Sequence, residues 1–112
     1  MITEETILVV EDDEGLNRLI QKTLQNAGLK TKGVFNGKDA IEMARHNEDI
    51  IMLLDYKLPD ITGKDVIETL QKQDCNVPFI IVTGHGDEKI AVEMMKMGAR
   101  DYIVKSAGFR TS

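Results

Sequence analysis

Three continuous apolar runs of strand length punctuate the chain: Ile7-Leu8-Val9-Val10, Ile50 through Leu54, and Phe79-Ile80-Ile81-Val82. None alternates with polar residues, which is the pattern of strands buried on both faces of a parallel sheet. Tyr102-Ile103-Val104 is a shorter candidate, and the more polar stretch from Leu29 to Phe35 reads as an edge strand. Helical stripes lie between these runs. Leu16, Leu19, Ile20, Thr23, Leu24 and Ala27 share one helix face, with Gly28 placed to stop it. Ala40, Ile41 and Ala44 form a second stripe opened by Asn36-Gly37, and Val66, Ile67 and Leu70 a third. Ile90, Ala91, Met94, Met95 and Met97 form a fourth, closed by Gly98.

Strand and helix therefore alternate along the chain, which predicts an α/β fold with right-handed crossovers. Five strands with a polar second strand suit a doubly wound, flavodoxin-like parallel sheet of order 2-1-3-4-5. After the last strand only Ser106 to Ser112 remain, carrying two apolar side chains, Ala107 and Phe109. That is too little for a closing helix. A fifth helix is expected to be largely missing, with residues 1–112 a single domain taken from a longer protein or covered on its last face by something else.

Composition narrows the picture further. A chain of 112 residues fits one domain with one core. Cys75 is the only cysteine, so no internal disulfide can form, which suits a reducing, cytoplasmic setting. The net charge of −5 argues against nucleic-acid binding by this segment, because phosphate neutralisation needs clustered Lys and Arg. No run approaches the ~18 apolar residues of a membrane span, and "MITEETILVV" lacks the basic start of a signal peptide.

In a parallel α/β sheet, ligands bind outside the carboxyl ends of the strands. Glu11, Asp12 and Asp13 follow the first strand, Asp55 the third, Thr83 and Gly84 the fourth, and Lys105 the fifth. Clustered carboxylates resist full ionisation unless a cation joins them. Mg²⁺ favours such oxygen ligands and leaves positions for a phosphate. Lys105 supplies a point charge for an anion and Thr83 a hydroxyl donor. Together they describe a site that holds a phosphoryl group against a carboxylate, with Asp55 as the nucleophile.

Those residues resemble a two-component response-regulator receiver domain. The match is carried by Asp12-Asp13, by "LLDYKLPDITG" with Asp55, Pro59 and Gly63, by "IIVTGHG" with Thr83, and by "GARDYIVK" with Tyr102 and Lys105. The resemblance covers nearly the whole chain. It implies that Asp55 accepts a phosphoryl group from a phosphohistidine on a sensor histidine kinase or a histidine phosphotransfer domain. It implies Mg²⁺, with Mn²⁺ as an alternative, bound by Asp13, Asp55 and the Lys57 carbonyl, with Asp12 acting through a water. Lys105 and Thr83 would contact phosphoryl oxygens, and the N–H groups of Tyr56, Lys57 and Gly84 would complete the cradle. Thr83 and Tyr102 would form a switch that biases the surface of the fourth helix and fifth strand. A downstream effector domain would lie outside this chain. Such a domain is not an enzyme in the usual sense, since it catalyses only its own phosphorylation and dephosphorylation.

Plainer readings stand beside these. Asp12 and Asp13 also suit helix caps, Asp55 and Thr83 suit turns, Lys105 a solvated surface lysine and Tyr102 plain packing. The methionines read as core and interface filler, and Cys75 as an inert loop thiol. His85 is a loop residue in a position that, with Lys57, flanks the phosphoryl group in the family. The chain also departs from the family pattern. Ser106 follows Lys105 where the family places a proline after a cis bond, which leaves the placement of Lys105 less fixed than that of Asp55. Without a fifth helix the first helix and the sheet would expose apolar side chains, so self-association into a homodimer or marginal stability is expected. A haloacid-dehalogenase-type phosphatase would need an acid where Lys57 stands. A flavin module would need a phosphate loop where Glu11 to Glu14 stand. A degenerate receiver, serving protein contacts alone, would have lost an acid or the lysine.

Overall fold

A computed structural model describes residues 5–105 of the chain. Five strands and four helices alternate without exception: β1 (Thr6–Val10), α1 (Glu14–Asn26), β2 (Lys30–Val34), α2 (Gly37–Arg45), β3 (Ile50–Asp55), α3 (Gly63–Lys72), β4 (Phe79–Thr83), α4 (Glu88–Lys96) and β5 (Asp101–Val104). The sheet is wholly parallel, in the order β2-β1-β3-β4-β5. The fold class and strand order are those the apolar runs predict. The three continuous runs form the three central strands, and the polar Lys30–Val34 segment takes an edge. Among the described residues there is no fifth helix. The Lys105–Ser106 bond lies outside them.

The helix boundaries follow local chemistry. Gly28 and Gly98 have φ of 89° and 106°, the left-handed region that only glycine enters cheaply. Each closes its helix with a six-to-one bond, Leu29 N–H to the Leu24 carbonyl at 3.1 Å and Ala99 N–H to the Met94 carbonyl at 3.0 Å. At the other end of α3, Thr62 and Asp65 cap each other reciprocally.

The main core lies between the sheet and helices α2, α3 and α4. Leu8, Met52, Leu54, Ala40, Val66, Ile81 and Met94 are all fully buried there. Among the described residues the opposite face carries α1 alone. Leu19 stays 41% exposed and Ile103 40% exposed, leaving an open apolar trough between α1, β3, β4 and β5. The register sets Val10, Leu54 and Val34 side by side and pairs Thr83 with Val104. Every strand therefore delivers its next residue to the same edge of the sheet.

Candidate functional site

That edge brings together Glu11, Asp55, Thr83 and Lys105. Lys105 N–H donates to the Thr83 carbonyl at 2.8 Å, continuing the β4–β5 pairing by one residue. This fixes the start of the lysine side chain. Its ammonium then reaches back over the sheet to Glu11 Oε1 at 2.6 Å and Asp55 Oδ2 at 3.0 Å. Both carboxylates are almost wholly shielded, with side-chain exposures of 3% and 9%. Burial works to lower the Lys105 pKa, but the bonds to Glu11 and Asp55 outweigh it and hold the ammonium above its ordinary value. The lysine is charged at neutral pH.

One carboxylate oxygen each from Glu11, Asp12 and Asp55 lie within 4.8 Å of one another. Desolvation raises the Asp12 pKa, and so do its hydrogen bond and charge repulsion with Glu11. Asp12 is thus harder to ionise than an isolated aspartate. An all-oxygen set of this kind fits a hard divalent cation. Thr83 is 1% exposed, and its Oγ1 has no hydrogen-bond partner among the described residues. An orphaned buried hydroxyl at the end of a strand is costly, unless it serves a group that arrives later. The cleft is lined by Glu11, Asp12, Asp13, Asp55, Tyr56, Lys57, Gly84 and Lys105.

Two of the residues expected at the site make other contacts as well. Asp13 lines the cleft and is also the N-cap of α1, its Oδ1 accepting from Leu16 N–H at 3.0 Å. Glu11 joins the carboxylate cluster, and its Oε2 also accepts from Asp13 N–H at 3.0 Å. The start of α1 at Glu14 bears on this: the residue just before a helix caps it, and the acids that cluster with Asp55 are the two before that. The second residue belongs to the cradle. Tyr56 N–H donates to the Val82 carbonyl at 3.0 Å, extending the β3–β4 ladder, which leaves Lys57 and Gly84 as the expected backbone donors beside the cleft. Tyr102 is 48% exposed on the far side of β5, beside Ala91, Val92 and Met95 of α4. His85 is exposed and does not line the cleft. Met94 is fully buried while Met95 is exposed, and the half-buried Cys75 thiol lies 3.7 Å from the Ala44 carbonyl.

The chain is thus a parallel α/β module with acids, a hydroxyl and a lysine at the carboxyl edge of its sheet. Comparison with known proteins narrows this. The model of the response regulator receiver domain family matches residues 7–111, and the chain belongs to that family. It is 38% identical over 97 residues to the luminescence regulatory protein LuxO of Vibrio campbellii, covering 87% of this chain and 21% of that protein. It is 31% identical over 104 residues to the transcriptional regulatory protein FixJ of Rhizobium meliloti, covering 93% of this chain and 51% of that one. The chain thus spans between a fifth and a half of the length of these relatives. Among solved structures, the signal receiver domain of a putative LuxO repressor protein from Vibrio parahaemolyticus superposes with a TM-score of 0.86 at 29% identity, over 97% of this chain and 84% of that one. The structure of FixJ-N gives a TM-score of 0.86 at 30% identity, over 93% and 83%. No helix among the described residues is long and apolar enough to cross a membrane.

Proposed function

We propose that this receiver domain accepts a phosphoryl group on Asp55 from a phosphohistidine of a sensor kinase or histidine phosphotransfer partner. The observation that carries the reading is the Lys105 ammonium, 3.0 Å from Asp55, together with a Thr83 hydroxyl that is buried at the end of β4 and has no partner among the described residues. An Asp55 oxygen attacks phosphorus as the phosphorus–nitrogen bond to the donor imidazole breaks. The imidazole departs with the bond's electron pair and takes a proton from solvent. Charge develops on the phosphoryl oxygens, and in this reading Lys105, Thr83 and the N–H groups of Lys57 and Gly84 hold it. Water attack on phosphorus later restores Asp55 and releases inorganic phosphate.

Glu11, Asp12 and Asp55 are the carboxylates that would hold Mg²⁺, or Mn²⁺ in its place, with the Lys57 carbonyl nearby. A bound cation supplies positive charge that offsets both the acid cluster and the incoming phosphoryl group. The domain acts on no other substrate. It works in the cytoplasm, with an effector domain beyond this segment as its output. The family membership and the half-buried, unbridged Cys75 support this setting.

Intact mass after incubation with acetyl phosphate tests the chemistry. A gain of one phosphoryl group is expected with Mg²⁺ and not with chelator, and Asp55→Ala abolishes it. A gain that persists in Asp55→Ala would overturn the assignment of the acceptor. An unchanged mass alongside a Mg²⁺-raised melting temperature would remove phosphoryl transfer while keeping the cation site.

A further inference from the structure

α1 buries only two of its side chains, Leu16 and the polar Asn17, and Asn17 is fully enclosed. A buried carboxamide must be satisfied, and this one is used completely. Its nitrogen lies 3.0 Å from the Glu11 carbonyl, 3.0 Å from the Val34 carbonyl and 3.3 Å from the Val9 carbonyl, so two hydrogens serve three acceptors. Its oxygen accepts from Gln21 Nε2 at 2.7 Å. Gln21 Oε1 in turn accepts from the Thr31 hydroxyl at 2.9 Å, and that hydroxyl accepts from Gln25 Nε2 at 2.7 Å. A second observation shows that room is kept for this chain of groups. A Cβ on Gly33 would stand 2.5 Å from Asn17 Oδ1 and closer still to Gln21 Nε2. Only glycine lets the carboxamides pass between α1 and β2.

The three carbonyls gripped by Asn17 belong to the ends of β1 and β2 and to Glu11 itself. Glu11 is where the main chain leaves the sheet and the acid side chain begins. That side chain has one more rotatable bond than aspartate, and its useful position, 2.6 Å from Lys105 and inside the carboxylate cluster, is one of several rotamers. Besides Lys105, the Asp13 N–H on Oε2 holds the carboxylate, while the Asn17 carboxamide on the Glu11 carbonyl and the Glu11 N–H on the Val34 carbonyl hold the main chain beneath. An apolar side chain of the same shape would fill the space but leave the Glu11 carbonyl without this partner.

We propose that Asn17 is a positioning residue for the acid site, locking the Glu11 main chain so that its carboxylate joins Asp12 and Asp55 as a preorganised cation-binding set. This rests on the reading that those three carboxylates share a divalent cation. Groups of this kind behind a ligand alter metal affinity by roughly 10- to 100-fold.

The test compares wild type, Asn17→Ala and Leu70→Ala. Leu70 is buried in the opposite core and touches nothing in the cleft. Mg²⁺ affinity is read from backbone amide shifts, and hydrogen exchange of the Glu11 and Asp13 amides is followed without cation. Asn17→Ala is expected to weaken Mg²⁺ binding about ten-fold and to speed exchange at Glu11 and Asp13 more than in β4. Leu70→Ala loses stability yet keeps wild-type affinity. Should Asn17→Ala not fold, Gln21→Ala keeps the buried carboxamide but frees its oxygen, and a loss of affinity smaller than about ten-fold is expected. Wild-type affinity in whichever of the two folds overturns the proposal and makes Asn17 purely structural. A wild type that takes up no Mg²⁺ sinks the cation reading and the proposal with it, whereas normal uptake matched by Asn17→Ala sinks the proposal alone.

Discussion

Lys105 is the residue on which the electrostatics of the site turn. Its ammonium balances two carboxylates with side-chain exposures of 3% and 9%, and removing it leaves both buried without a counter-ion. Lys105→Met is therefore expected to lower stability by about 2 kcal/mol in chelator, less than for a fully enclosed pair because the lysine keeps some solvent contact. Mg²⁺ should restore more stability to this variant than to wild type, since the cation then replaces the missing charge. Thermal melts with and without Mg²⁺ check this, and equal Mg²⁺ increments in the two proteins would count against it. The raised Lys105 pKa keeps this pairing intact below the ordinary lysine range and loses it only as pH rises through the higher folded value. At this scale the sequence was partly legible. Asp55, Thr83 and Lys105 each follow an apolar run, so their positions could be read directly. Within the run Glu11-Asp12-Asp13-Glu14 the family resemblance singles out Asp12 and Asp13, and the part Asp13 plays as the α1 cap depends on a helix boundary that spacing alone does not give. Asn17 was hidden because a polar residue in an amphipathic helix reads as solvent-facing.

The β3–α3 loop is held between two helices. Thr62 and Asp65 tie its far end into α3. Asp60, in its middle, accepts from the N–H groups of Gly37 and Lys38 at 2.8 and 2.9 Å, so a loop residue helps to cap α2. Burial works to raise the Asp60 pKa, but the N–H groups of Gly37, Lys38, Ile61 and Asp60 itself outweigh it and hold the carboxyl below its usual range. A depressed folded pKa contributes stability above the unfolded value, near pH ~3.9, that is lost as pH falls through the folded one. Asp60→Ala is expected to cost about 0.5–1 kcal/mol at neutral pH, with its stability curve converging on that of wild type below pH ~4. Denaturant melts across pH 2.5–7 follow this, and a gap of constant size down to the lowest pH would show that the carboxylate charge is not involved. None of this cross-loop capping could be read from sequence spacing. Asp60 and Gly37 are 23 residues apart, and the fold alone makes them neighbours.

At the scale of the molecule the two faces of the sheet are unequal. Among the described residues the face under α2, α3 and α4 is closed, whereas α1 leaves Leu19, Ile20, Leu53 and Ile103 around an open apolar trough. The sequence pointed to this imbalance, because the stretch after the fifth strand carries too few apolar residues for a helix that would lie beside the first. Each exposed aliphatic side chain that finds cover gains roughly 1.5–3 kcal/mol on complete burial, so polypeptides of residues 1–112 have reason to meet through this face. A surface shared between two copies would be the same patch twice, related by a two-fold axis. Ile103→Glu places a charge at the centre of that patch without touching the acid cleft, which lies at the edge of the sheet. Sedimentation equilibrium over a hundred-fold range of concentration is expected to show reversible self-association for the wild-type polypeptide and its loss in Ile103→Glu. A wild type that stays monomeric throughout would mean that the trough is tolerated in water. A variant that associates as strongly as wild type would move the contact elsewhere, with the half-exposed Tyr102, Val92 and Met95 surface on α4 and β5 as the next place to introduce a charge.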